Sequence, residues 1–176
     1  FGGLTNGQSA MKTKSLKFLN QGKAWNNKPL VMIDAARTLA DKVCWLDTDC
    51  EVRTNIQDIF NHIQPNKLTM AEDLPWSTRR KEKWHNSGVV AFQGVPQILN
   101  DWALDCATRP HVEGDQTNLH ILLKDPLKRM THINDLPREY NTLRIDLIDN
   151  TAPKAPKILH WTGAKGNEHI KEMMNG

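Results

Sequence analysis

Tyrosine, phenylalanine and cysteine are scarce in this chain: 1 Tyr, 4 Phe and 3 Cys among 176 residues. The three cysteines, Cys44, Cys50 and Cys106, cannot all pair, and none of their spacings is that of a metal-binding motif. They read as reduced thiols in a reducing compartment, so the cytoplasm is the expected location. No apolar stretch is long enough to cross a bilayer, so no membrane span is expected. Internal repeats and low-complexity tracts are absent. Charge of one sign is also in short supply. The 23 Lys and Arg against 20 Asp and Glu leave a net charge of +3, an excess that suits an anionic ligand such as a nucleotide without requiring one. The chain begins at Phe1 rather than Met, which leaves open a leader or an N-terminal strand ahead of it.

What remains is enough for one domain with a real core, spanning 1–176, with 1–27 the part left uncertain. FGGLTNGQS reads as a loop, and Met11 to Leu19 as a short helix. Pro29 fits the first turn of a helix reaching about Ala40. Val43 to Leu46 is an apolar run too short for a helix, and reads as a buried strand ending at Asp47. The spacing of Ile56, Ile59, Phe60 and Ile63 predicts a short helix, and Lys67 to Ala71 a strand. Residues Asp73 to His85 read as a polar loop. Gly88 to Phe92 reads as a strand, Pro96 to Cys106 as an amphipathic helix, and Asp115 to Leu123 as a helix capped by Asp115. A last strand covers Ile158 to Trp161. Strands alternating with helices predict an α/β fold with a mixed, mainly parallel sheet flanked by helices.

AspThrAsp at 47–49 follows a buried strand. Ligands of open α/β sheets bind at the carboxyl ends of strands. Two carboxylates there can share one hard cation, Mn²⁺ or Mg²⁺; a solvated strand end is the plain alternative.

Six segments, in order, resemble one known family. WLDTDCEV resembles the Asp-x-Asp strand end of GT-A glycosyltransferases, in particular the retaining group (glycosyltransferase family 8-like) that includes glycogenin and bacterial galactosyltransferases. NIQDIF, HNSGVVAF, GDQTNL, LPREYN and ILHWTGAKG resemble that group's later landmarks. In this sequence Lys165 lies two residues after Gly163, where the family spaces its Lys by three, and the family's Pro-Trp is replaced by GlyAsnGlu. The resemblance implies a GT-A (Rossmann-like) fold, and residues 1–27 do not clearly supply the first strand that the family places ahead of residue 28.

The resemblance also implies roles. Asp47, Asp49 and His160 would hold Mn²⁺ (or Mg²⁺), with Asp47 also touching donor ribose. Asn86, Ser87 and Gly88 would face the donor sugar, with Gly88 allowing close backbone approach. Asp115 would recognise hydroxyls and Gln116 would lie near the anomeric carbon, the two forming the catalytic pair. Lys165 would meet the diphosphate. Lys28 and Arg37 are further donor contacts, although Asp34 and Arg37 also suit an intrahelical ion pair. The partners would be a nucleotide-diphosphate sugar and an unknown acceptor, whether saccharide, lipid or protein. Trp76 and Trp84 could stack on a sugar, or anchor the loop. Three other readings stay open: a haloacid-dehalogenase-like phosphohydrolase built on the same Asp-x-Asp, a nucleic-acid module using the basic run at 77–85, and a donor-binding protein without activity.

Overall fold

A computed structural model describes residues 24–109 and 114–175. The loop expected at the N-terminus and the helix expected over Met11 to Leu19 lie outside the described residues. A four-stranded sheet carries the fold, in the order β1 (Lys42–Leu46), β4 (His85–Gln93), β3 (Leu68–Glu72), β5 (Ile133–Leu136). β3 and β5 are parallel, while β4 runs antiparallel to both of its neighbours. Strands β1, β3 and β5 therefore share one direction and β4 is reversed between them. The sheet is mixed, as expected, but most of its pairings are antiparallel because the reversed strand sits inside rather than at an edge. Among the described residues no strand precedes β1.

β4 is buried on both faces, which fits its near-continuous apolar run. Its alternation sorts two cores. Val90 and Phe92 face helices α1 (Lys28–Thr38), α3 (Gln97–Thr108) and α4 (Asp115–Leu122), meeting Met32, Leu99, Trp102 and Leu119. Val89 and Ala91 face the other way, onto Ile59, Tyr140 and Ile158. That second side holds a 3-10 helix, Gln57–His62, where a short helix was expected. It also holds a small sheet in the order β2 (Cys50–Val52), β7 (Ile158–His160), β6 (Thr142–Leu143).

The stretch expected as a polar loop after β3 contains helix α2 (Leu74–Arg80), capped by the Asp73 side chain, which accepts from the Trp76 N–H at 3.1 Å. Pro75 lies in its first turn, where a missing N–H costs nothing. Helices α5 (Pro126–His132), α6 (Arg144–Ile148) and α7 (Ala164–Asn175) complete the described chain. No helix among the described residues is long and apolar enough to cross a membrane.

Trp102, with no exposed surface, joins the helical layer to the start of α4: its Nε1–H donates to the Asp115 carbonyl at 2.8 Å. Trp102→Phe should remove the second bond of that carbonyl, which also belongs to the helical ladder of α4, and cost about 0.5–1.5 kcal/mol from this alone, with the lost ring volume adding to it. Urea unfolding checks this as a lowered midpoint at unchanged slope. An unmoved midpoint would mean that the bond carries no stability.

Candidate active site

β4 begins where β1 ends, because the two strands run in opposite directions: Leu46 pairs with Val89, and the Asp47 N–H donates to the Gly88 carbonyl at 2.8 Å. Asp73 follows the end of β3 on the same edge, and its N–H donates to the Trp84 carbonyl. The reversed strand thus delivers its first residues, Asn86, Ser87 and Gly88, to the carboxyl edge where Asp47 and Asp73 emerge.

The small sheet adds the rest. Beyond the turn at 48–49, β2 pairs antiparallel with β7 so that Cys50 faces His160, and the Trp161 N–H donates to the Asp49 carbonyl at 2.9 Å. β6 lies parallel to β7 with Leu143 opposite His160, which sets Asn141 beside the imidazole. His160 Nε2 lies 3.1 Å from Asp49 Oδ1 and 4.0 Å from Asp47 Oδ2. Burial would raise the Asp49 pKa, but the hydrogen bond and charge of His160, its own backbone N–H and the Lys28 charge together hold it below the usual carboxylate value. The three residues expected to share a cation therefore converge.

A purely geometric grouping places Cys50 with Asp49 and His160, their ligand atoms lying within 4.8 Å of one another. Chemistry favours Asp47 over Cys50. Burial and the carboxylates of Asp47 and Asp49 push the Cys50 thiol pKa well up, and its sulfur lies 3.7 Å from the Gly88 carbonyl. Only a thiolate ligates well. Two carboxylates and one imidazole form a donor set suited to Mn²⁺, and less well to Mg²⁺. The residues present therefore fit a divalent cation.

Lys28 is 5% exposed at the start of α1. Its ammonium lies 2.9 Å from Asp47 Oδ1 and 3.0 Å from Asp115 Oδ2, and donates to the Ser87 carbonyl and hydroxyl at 3.2 and 3.1 Å. Burial works against the charged form, but Asp115 and Asp47 outweigh it and raise its pKa. Asp47 also accepts from Trp45 Nε1 at 2.6 Å. Ser87 Oγ donates to Asp115 Oδ2 at 2.8 Å. Asp115 was expected to cap α4; the cap position is Gly114, at φ 91°, where a side chain would be strained. Asp115 is instead the first helical residue, and its carboxylate is spent on Ser87 and Lys28. Gln116 accepts from the Ser87 N–H at 3.0 Å and donates to Asp73 Oδ2 at 3.3 Å.

The glycine at 88 has a different reason from the one expected. A Cβ built there would lie 2.0 Å from Cε1 and 2.4 Å from Nδ1 of His160. The glycine makes room for the imidazole, where close approach of a sugar was expected. Arg37 and Lys165 stay out of the cluster. Arg37 is exposed in the last turn of α1, roughly 13 Å farther along the axis than Lys28. Lys165 is exposed in the first turn of α7 and makes none of the cluster's bonds. Trp84 stacks on His120 with ring centroids 3.4 Å apart, and Trp76 carries Arg80 on its face, so both act as anchors. Within the basic run, Arg79 pairs with Asp149 and Lys83 with Asp135, so much of its charge is already matched inside the protein.

Of this network, Asn141 carried no site role in the sequence reading, and Asp73 was weighed with Glu72 only as a contact for an acceptor hydroxyl, against the commoner case of an acidic pair at a loop edge. Asp73 could have been found from its own neighbourhood, an Asp two residues before Pro75, which is a helix start. Asn141 ends LPREYN, a segment noticed only for its resemblance.

A mixed sheet with one reversed strand, and an Asp-x-Asp at its carboxyl edge, defines the GT-A type of glycosyltransferase fold. Solved structures sharing it include a glycosyltransferase involved in the glycosylation of the major capsid of PBCV-1, 14% identical at a TM-score of 0.64, over 90% of this chain and 81% of that one. The galactosyltransferase LgtC is 14% identical at 0.57, over 82% of this chain and 65% of its own. The Streptococcus pneumoniae glycosyltransferase GlyE is 23% identical at 0.54, over 78% and 36%. The chain thus spans less than two thirds of LgtC and of GlyE. No protein-family model matches the sequence, and the search of curated proteins found no match. With this fold, the dehalogenase-like alternative loses its structural basis.

Gly88→Ala should displace the His160 ring, since an imidazole held at Nδ1 cannot swing away freely. A loss of about 1–3 kcal/mol in stability is expected from the overpacking. Removing the ring in the double variant Gly88→Ala/His160→Ala should recover most of that loss, a coupling that thermal or urea unfolding measures. Strictly additive losses would show that the two residues do not clash.

Proposed function

We propose that this chain is a metal-dependent glycosyltransferase. It takes a sugar from a nucleotide-diphosphate donor and passes it to an acceptor hydroxyl with retention of anomeric configuration. The observation that carries this reading is the meeting of Asp47, Asp49 and His160 Nε2 at the carboxyl edge of the sheet, beside a second polar group made of Lys28, Ser87, Asp115 and Gln116. LgtC, which has the same fold, was solved with donor and acceptor sugar analogues.

Asp47, Asp49 and His160 hold the cation. When bound, it supplies the positive charge that neutralises the departing diphosphate. Lys28 keeps Asp47 and Asp115 side by side and stops them repelling each other. Asp115 accepts from a sugar hydroxyl, and its bond to Ser87 Oγ fixes the direction in which it does so. Gln116, oriented at both ends of its amide by Ser87 and Asp73, lies near the anomeric carbon. Lys165 is a contact for the diphosphate, and Arg37, farther along α1, is one for a more distant part of the donor.

Asp49→Ala should abolish Mn²⁺-dependent binding of a nucleoside diphosphate while the protein stays folded, with a loss beyond the 10–100-fold typical of residues that only support a ligand. Calorimetric titration with and without Mn²⁺ tests it; parental binding by the variant would remove the cation site. Asp115→Asn separates sugar handling from diphosphate handling. Transfer should fall far more than diphosphate affinity, because diphosphate alone makes no contact with that carboxylate. Equal losses in the two assays would leave Asp115 a purely structural partner of Lys28.

A further inference from the structure

Between Asp73 and His160 runs an unbroken chain of side-chain amides whose polarity can be read from its ends. The Asp73 carboxylate only accepts, and it takes a bond from Asn86 Nδ2 at 3.2 Å. The Gly88 N–H only donates, and it gives a bond to Asn86 Oδ1 at 2.9 Å. Both ends fix the Asn86 amide the same way round. Asn86 Oδ1 then accepts a second bond, from Asn141 Nδ2 at 3.0 Å, which turns the Asn141 carbonyl toward His160. Asn141 Oδ1 lies 3.1 Å from His160 Nδ1, so this nitrogen carries the hydrogen. Asn86, Asn141 and His160 are 5%, 1% and 4% exposed, so water has little chance to substitute for a missing partner.

We propose that Asn86 and Asn141 are positioning residues for His160: the Asp73 carboxylate and the Gly88 N–H set the direction of their two amides, and that direction keeps a proton on His160 Nδ1 and leaves Nε2 to face Asp47 and Asp49, donating to Asp49 Oδ1 at 3.1 Å until a cation takes that place. Asn86 touches neither the imidazole nor Asp47 or Asp49, yet it governs which nitrogen can ligate. Its carbonyl oxygen has both lone pairs engaged in this task, which leaves the second Nδ2–H as its means of meeting a sugar hydroxyl. A histidine that donates through one nitrogen and ligates through the other is the general arrangement at metal sites. The feature specific to this chain is that a neutral amide, which could face either way, is held by a second amide and a backbone N–H. The inference rests on the cation reading above for its purpose, though not for its geometry.

The parent for the test is the full chain carrying Asp49→Ala, which removes the carboxylate 3.1 Å from Nε2 that would otherwise hold a proton there; it is labelled with ¹⁵N-histidine and read free of metal at a pH where imidazole is neutral. Long-range ¹H–¹⁵N spectra report the tautomer, and the His160→Gln spectrum assigns the signal among the 7 histidines. The parent should be protonated on Nδ1; an Nε2–H parent overturns the proposal before any variant is made. Asn86→Ala in that parent leaves Asn141 in place but unoriented, so both tautomers should appear; made in the chain with Asp49 intact, it should lower Mn²⁺ affinity about 10-fold or more. Asn141→Asp, whose carboxylate accepts from either side, should keep the Nδ1–H form alone. Added to Asn86→Ala, it should restore that form. An Asn86→Ala variant with a pure Nδ1–H ring overturns the relay, as does a double variant that stays mixed. Should Asn86→Ala fail to fold, the parent spectrum and Asn141→Leu decide in its place. The leucine variant should lose the single tautomer, and its retention overturns the assignment. If the parent tautomer is as stated but the unsubstituted chain binds no Mn²⁺, the cation reading fails and the relay stands.

Discussion

One buried ammonium holds this end of the molecule together. Lys28 bridges Asp47 at the end of β1, Ser87 at the start of β4 and Asp115 at the start of α4, all within about 3 Å. Three elements from distant parts of the chain are therefore fixed by one side chain. Charges buried this way repay their desolvation only when each is matched, and removing one partner of such a group is far more damaging than replacing the whole. Without Lys28 the two carboxylates would face each other with no positive charge between them, and α1, β1 and α4 would lose their common anchor.

The second constraint is the reversal of β4. In a fully parallel sheet every strand presents its last residues at the carboxyl edge. Here the central strand presents its first. AsnSerGly comes before the apolar run of β4 and AspThrAsp comes after that of β1, and the antiparallel register lays them side by side. The same reversal lets Gly88 lie against the His160 ring, which reaches the edge from the opposite side on β7.

Much of this was legible in the sequence where apolar residues set a period. β1, the core of β4 and the inner face of α3 were readable because burial selects Val, Ile, Leu and Trp at strand or helix spacing, and the end of β1 located Asp47. α2 was lost because its residues are mostly polar and its only signals are an Asp cap and a proline. β2 and β6 have three and two residues, too few for any period, and exist because they pair with β7, the one strand of that sheet expected from its apolar Ile158 and Leu159. The convergence of Asp47, Asp49 and His160 was anticipated through resemblance alone. The reasons for Gly88 and Asn141 were out of reach, since both answer to contacts with residues far along the chain. Asp115 was misread as a cap because a single sequence does not distinguish a residue at the cap position from one just inside it when Gly114 precedes.

The charge census around Lys28 has a kinetic side. Asp47, Asp49, Asp73 and Asp115 share one neighbourhood with one ammonium, so this edge is locally negative in a chain whose net charge is +3. For a dianionic guest the approach is uphill, and the same field gathers small cations from solution. On the proposed function, that field would favour a cation arriving first or already riding on the phosphates, and raising the salt concentration would weaken the preference by shortening the field's reach.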